Sequence, residues 1–120
     1  MPMTNFNQAK AITTNTMRYT KQMFKEDFSK EEINHMTPES IKAFIELKRL
    51  GCPVKIWWQN DRKYMDYRGY FWIDAEEYDA EGWLDYNSDY WGSEELQSIL
   101  GKHGLYFEWQ NSAVACVYQA

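Results

Sequence analysis

The chain has few of the features that mark disulfide-stabilised, secreted or membrane-spanning proteins. Only two of its 120 residues are cysteines, Cys52 and Cys116, and they lie far apart. A disulfide-stabilised domain of this size carries more, so free thiols and a reducing compartment are expected. No apolar run approaches the roughly 18 residues that cross a bilayer, and the first ten residues lack the layout of a secretory signal. These absences predict a cytoplasmic protein.

Motifs for cofactors and catalysis are also missing. The sequence has no Gly-rich phosphate loop and no G-x-S-x-G or H-E-x-x-H motif. His35 and His103 are too distant from each other and from the cysteines for the closely spaced ligand pairs of structural zinc sites. We therefore expect no cofactor, no metal and no enzymatic activity. A carboxylate-dependent hydrolase is the enzymatic alternative, and its candidate acid–base pairs are Asp85 with Glu108 and Asp66 with Glu77.

What the chain does contain is enough apolar material for one domain and an unusual number of rings. Hydrophobic residues make up 44% of the sequence, which includes six Trp, nine Tyr and six Phe. A chain of this length forms a single core. Because Tyr and Trp favour half-wet positions, we expect some of these rings at a surface or an interface.

The hydrophobic pattern predicts an α+β fold in which N-terminal helices pack on an antiparallel sheet of about four strands. Residues 5–51 are predicted to be helical. A first helix over 5–24 has its apolar or small residues at Phe6, Ala9, Ile12, Thr16 and Met23. Ser29 and Glu32 form a capping box for a short helix through His35. A third helix is predicted to be capped by Thr37, to begin at Pro38 and to end before Gly51 and Pro53. Its apolar face consists of Ile41, Phe44, Ile45 and Leu47.

After Pro53 the pattern changes to that of strands. Residues 54–73 predict a hairpin with its turn near Asn60 and Asp61, and residues 105–118 predict a second hairpin that turns at residues 110–112. Met65, Tyr67, Phe71 and Ile73 share one face of the first hairpin. Between the hairpins, Ser93 caps a helix over 94–101 whose apolar face is Leu96, Ile99 and Leu100. No linker or second domain is predicted.

Charge is distributed unevenly along the chain. The net charge is −5, yet residues 74–95 hold nine carboxylates and no Lys or Arg. We call residues 74–95 the acidic aromatic segment, because Tyr and Trp alternate there with the acids. A concentrated patch of one sign steers charged partners.

One part of this segment has the spacing of a calcium loop. Asp85, Asn87 and Asp89 alternate like the first ligands of an EF-hand. The sixth and twelfth positions of that loop require Gly and Glu, but here they are Tyr90 and Leu96. The sequence therefore favours a turn stabilised by Asx side chains over a cation site.

Nucleic-acid binding is an alternative function, because aromatic side chains can stack on bases. The first hairpin carries Arg62, Lys63 and Arg68 beside Tyr64, Tyr67 and Tyr70. The net acidity of the chain opposes this alternative, since stacking platforms normally lie in a positive groove. A small ligand on the same aromatic face is an equivalent possibility.

Recognition of a protein with a basic surface fits the sequence better. Tyr and Trp are common interface anchors, and a carboxylate rim favours fast association with a basic partner. The competing interpretation is a solvated loop whose rings pack back on the core. The predicted partner-binding residues are Asp74, Glu76, Glu77, Tyr78, Asp79, Glu81, Trp83, Asp85, Tyr86, Asp89, Tyr90 and Trp91.

In size, charge and lack of catalytic motifs, the chain is similar in general character to small acidic accessory proteins of bacteriophages and other mobile elements. It matches no family motif residue by residue. The similarity implies an inhibitor that blocks a basic, nucleic-acid-handling host enzyme or defence complex in the host cytoplasm.

Overall fold

A computed structural model describes residues 18–56 and 69–120. Their fold is α+β, with helices and one antiparallel sheet, which confirms the predicted class. In chain order the elements are α1 (Lys21–Asp27), α2 (Lys30–Asn34), α3 (Pro38–Arg49), β1 (Val54–Lys55), β2 (Phe71–Asp74), a 3₁₀ helix (Tyr78–Ala80), α4 (Glu94–Lys102), β3 (Leu105–Asn111) and β4 (Val114–Gln119).

The sheet has the strand order β1-β2-β4-β3, and each neighbouring pair is antiparallel. Val54 pairs with Ile73, so the two ends of the first predicted hairpin are antiparallel neighbours. Its predicted turn near Asn60 and Asp61, with Met65 and Tyr67, lies outside the described residues. The second hairpin turns at residues 112–113 instead of the predicted 110–112. A bulge after Trp109 lets β3 continue to Asn111, whose side-chain oxygen accepts a hydrogen bond from the Ala113 amide at 2.8 Å.

The start of α1 corrects the predicted N-terminal helix over 5–24, of which residues 5–17 lie outside the described part. Thr20 has extended backbone, and its hydroxyl accepts a hydrogen bond from the Met23 amide at 3.1 Å. The helix therefore begins at Lys21 and not earlier. The helix that begins at Lys21 buries a different side chain from the predicted one. Phe24 is fully buried, whereas Met23, which was predicted on the apolar face, is 40% exposed.

The next two helices form as their capping residues predict. The capping boxes of Ser29 with Glu32 and of Thr37 with Ser40 are both complete. Each box satisfies backbone N–H groups that the first turn of a helix leaves without a partner. Because these signals are local, the sequence was sufficient to place both helix starts.

Aromatic side chains connect α1 and α3 to the sheet. The ring centroids of Phe24 and Phe44 are 5.3 Å apart, and those of Phe44 and Phe71 are also 5.3 Å apart. All three rings are fully buried. Leu96 and Leu100 of α4 join the same core, as their spacing predicts.

Polar side chains join α3 to the end of α4. His103 follows α4, and its Nδ1 lies 2.9 Å from Glu39 Oε1 and its Nε2 3.1 Å from Glu46 Oε1. Lys102 Nζ donates to Glu46 Oε2 at 2.8 Å. Burial raises the pKa of Glu46, but the hydrogen bonds from Lys102 and His103 outweigh it and hold this pKa below its usual range.

Candidate functional site

Short turns and buried anchors fix the acidic aromatic segment to the core. Ala80 and Leu84 are buried beside Trp83, which is only 7% exposed. The Ser93 amide donates to the Trp83 carbonyl at 2.9 Å, so the end of the segment is tied to its middle. The prediction that Trp83 contacts a partner is corrected, because its side chain fills the core.

Asp85 organises the turn that resembled a calcium loop. Its Oδ1 accepts hydrogen bonds from the amides of Asn87 at 2.8 Å and Ser88 at 2.9 Å. The backbones of Asp85 and Asp89 also exchange hydrogen bonds, at 3.1 and 2.9 Å. The backbone bonds from Ser88 and Asn87 lower the pKa of Asp85. The Asx turn that the sequence favoured is therefore present.

Most of the other predicted contact residues point outward. Tyr78 is 86% exposed and Trp91 is 76% exposed, which are large fractions for aromatic side chains. Asp74 and Asp89 are partly buried, and Glu77 forms an ion pair with Lys55 at 2.9 Å. The remaining exposed residues of the predicted set are Glu76, Asp79, Glu81, Asp85, Tyr86 and Tyr90.

A depression beside Tyr78 is lined by residues of the acidic aromatic segment. It has a volume of about 520 Å³. Four carboxylates line it, those of Glu77, Glu81, Asp85 and Asp89. A depression with this lining suits the positively charged end of a Lys or Arg side chain.

The rings at the other end of the segment form a cluster with rings from β3. We define the aromatic cluster as Tyr86, Tyr90, Trp91, Phe107 and Trp109. Its ring centroids are 5.1 to 5.9 Å apart, and most neighbouring rings meet edge to face. Trp109 Nε1 donates to the Tyr90 carbonyl at 2.8 Å, which joins β3 to the segment.

Phe107 and Trp109 were not among the predicted site residues. Their period-two spacing with Leu105 does indicate that the three side chains share one face of β3. The spacing contains no information about which distant segment meets that face. Only the path of the chain brings Trp109 onto Tyr90, which lies 19 residues earlier.

A groove follows β3 next to this cluster. Its volume is about 770 Å³. Its lining comes from Tyr90, Trp91, Gln97 and Leu100 and from residues 105–109 of β3, which include the exposed residue Glu108. We call this feature the β3 groove.

The surroundings of the candidate catalytic and metal-binding side chains can be compared with what such sites require. A general acid needs a raised pKa, whereas hydrogen bonds from the backbone N–H groups of Ser88 and Asn87 lower the pKa of Asp85. Cys52 and Cys116 are buried free thiols, and burial raises the pKa of Cys52. Among residues 18–56 and 69–120, no three His, Cys, Asp or Glu side chains are grouped as metal ligands.

Most residues of the basic aromatic face predicted to bind nucleic acids lie outside the described part of the chain, namely Arg62, Lys63, Tyr64, Tyr67 and Arg68. Asp66 of the hydrolase alternative also lies outside it. Tyr70, the last residue of that group, is half-buried, and its hydroxyl lies 3.4 Å from Gln119 Oε1.

In comparisons with known proteins, no family model, curated protein or solved structure matches the chain. In the described part of the chain, no helix combines the length and apolar character that crossing a membrane requires.

Proposed function

We propose that the chain is a non-enzymatic, cytoplasmic protein-binding module whose acidic aromatic segment binds a basic surface of a partner protein. The observation that carries this proposal is the placement of the highly exposed Tyr78 beside a depression lined by four carboxylates. Residues 74–95 contain no Lys or Arg, and the ion pair of Glu77 is made with Lys55, outside the segment.

The two components of the surface have different energetic roles. Exposed aromatic side chains such as Tyr78 and Trp91 supply area whose burial stabilises a complex. Carboxylates at the rim increase the association rate and select partners of positive charge. The buried Trp83 anchors the segment, which lowers the entropy lost on binding because the backbone is already ordered.

A basic groove that normally holds nucleic acid fits this surface. Carboxylates would occupy phosphate positions, and exposed rings would occupy base positions. A small rigid domain bound there excludes the nucleic acid sterically. The proposed role is therefore inhibition of a nucleic-acid-handling host enzyme or defence complex by a phage- or mobile-element-type protein.

Affinity capture with charge variants tests this proposal. The test variant carries Asp79→Lys and Glu81→Lys, and it spares Asp85 because that carboxylate holds a turn. The control variant carries Glu26→Lys and Glu31→Lys, exposed residues of α1 and α2, with the same change in net charge. Each protein is immobilised, incubated with host lysate, and the retained proteins are quantified by mass spectrometry.

We expect basic proteins retained by the wild type and by the control to fall at least tenfold with the test variant. Their retention should also decrease as salt rises from about 50 to 300 mM, because exposed charges are screened. Equal retention by all three proteins, with no salt dependence, would show that the acidic segment is not the contact.

A further inference from the structure

The outer edge of β3 leaves alternate backbone groups available for pairing. In β4, the Val117 carbonyl accepts from the Tyr70 amide at 2.8 Å and so faces β2. Backbone groups alternate between the two edges of a strand, so residues 116 and 118 face β3, where they oppose Glu108 and Tyr106. The N–H and C=O groups of residues 105, 107 and 109 consequently face away from β4.

No strand of the described residues pairs with that side of β3, which ends the sheet. Natural edge strands are usually protected by Lys, Pro, a central bulge or short length. β3 has seven residues, contains no Lys, Arg or Pro, and has its bulge only at its end. Its one charged side chain is Glu108. The edge is thus chemically suited to accept another strand.

The β3 groove lies along this edge. It is lined by five consecutive residues, 105–109. Consecutive side chains of a strand point to opposite faces, so a groove that touches all of them follows the edge. Trp91, Gln97 and Leu100 complete the lining, and the volume of about 770 Å³ is in the range of small-ligand pockets.

Charge determines which peptide fits. Glu108 is the acidic residue of the groove lining, and residues 74–95, which supply Tyr90 and Trp91 to it, hold nine carboxylates and no Lys or Arg. Trp91 is 76% exposed and meets Tyr90 at 86°, which leaves ring surface on which a guanidinium can stack.

We propose that β3 accepts an extended, Arg- or Lys-containing segment of the partner as an additional antiparallel or parallel strand, with its basic side chains along the β3 groove. This inference rests on the proposed function and names the binding mode. Main-chain hydrogen bonds to residues 105, 107 and 109 would supply affinity, and the groove would supply selectivity.

Two-dimensional NMR of the full chain with synthetic octapeptides tests the proposal. The probe alternates Arg and Val, and its matched control replaces Arg by Glu. Two further probes carry N-methyl groups on every second amide, one on the Arg residues and the other on the Val residues. Since a docked strand pairs only one of its edges, one methylated peptide should lose at least tenfold in affinity while the other retains it.

The amide shifts should be largest at Leu105, Phe107 and Trp109, and the Glu-containing peptide should bind several-fold more weakly. Trp91→Ala should weaken peptide binding by threefold or more, whereas Tyr78→Ala, outside the groove, should leave it unchanged. Asp79→Lys with Glu81→Lys should also leave most peptide binding intact, because neither residue lines the groove.

Three outcomes would contradict strand addition. They are equal effects of both methylation patterns, amide shifts confined to the surroundings of Tyr78, and no binding at about 1 mM peptide. Concentration-dependent shifts of the same amides without peptide would assign the edge to a second copy of the chain. If capture from lysate still depends on Asp79 and Glu81 in any of these cases, the proposed function is retained and only the binding mode is rejected.

Discussion

At the scale of single residues, Gly92 determines how the acidic aromatic segment meets β3. Its φ of +83° is a backbone conformation that L side chains rarely adopt. A Cβ atom there would lie 3.0 Å from Phe107 Cε2 and 3.1 Å from Leu96 Cδ2. The glycine therefore serves both the turn and the close packing of the aromatic cluster.

We expect Gly92→Ala to lower the free energy of unfolding by about 2–3 kcal/mol, from backbone strain and from displacement of Phe107. The control is Gly82→Ala, where φ is +88° but no atom lies within 4 Å of the added Cβ. This control should cost only about 1 kcal/mol. Urea unfolding followed by Trp fluorescence measures both values, and equal losses would contradict a packing role for Gly92.

Residues whose behaviour depends on local contacts were predictable from the sequence. Asp85 forms the expected Asx turn because its partners, the amides of Asn87 and Ser88, are two and three residues away. Trp83 was not predictable in the same way. Its burial depends on elements distant in sequence, and its acidic neighbours indicated the surface instead.

At the scale of secondary-structure elements, the junction of α3 and α4 depends on charge. Glu46 on α3 contacts both Lys102 and His103. Its pKa is lowered in the folded chain, so the stabilisation exists above the pKa of the unfolded state and is lost as pH falls through the folded value.

Glu46→Gln should therefore destabilise the protein by about 0.3–1 kcal/mol at pH 7, the range of partly exposed ion pairs. The difference from wild type should shrink as pH falls from about 5 to 3, because the wild-type carboxyl then becomes neutral as well. Urea unfolding at several pH values measures this difference. Glu81→Gln, at an exposed site, is the control. A difference independent of pH would exclude the charge interaction as its source.

Helix starts agree with the sequence where a cap is present, as at Ser29 and Thr37. The long first helix was wrong in its described part because a periodic pattern does not show where a helix begins. Thr20 was treated as an interior residue, but its hydroxyl caps α1. The identity of the edge strand was also beyond local signals, since strand order is a property of the sheet.

At the scale of the whole molecule, two Trp residues of one segment have different environments. Trp83 is buried in the core, and Trp91 is exposed at the β3 groove. Both lie between β2 and α4, so the path of the chain places one ring for stability and leaves the other available for the proposed recognition.

Trp83→Ala should lower the free energy of unfolding by about 3–5 kcal/mol, as expected for removal of a large core side chain. Trp91→Ala should change it by less than about 0.5 kcal/mol and should instead weaken binding of the Arg-containing octapeptide. Denaturant unfolding measures the stability of each variant, with NMR titration for Trp91→Ala. A large loss of stability in Trp91→Ala would place this ring in the core.

Local patterns and composition were sufficient to predict the α+β class, the capped starts of α2, α3 and α4, and the acidity of residues 74–95. These properties depend on composition and on contacts within a few residues. The tertiary structure decided that Trp83 is buried, that Trp109 packs on Tyr90 and that β3 lies at an edge. Those outcomes depend on which distant segments meet, and neither side-chain spacing nor charge specifies such contacts.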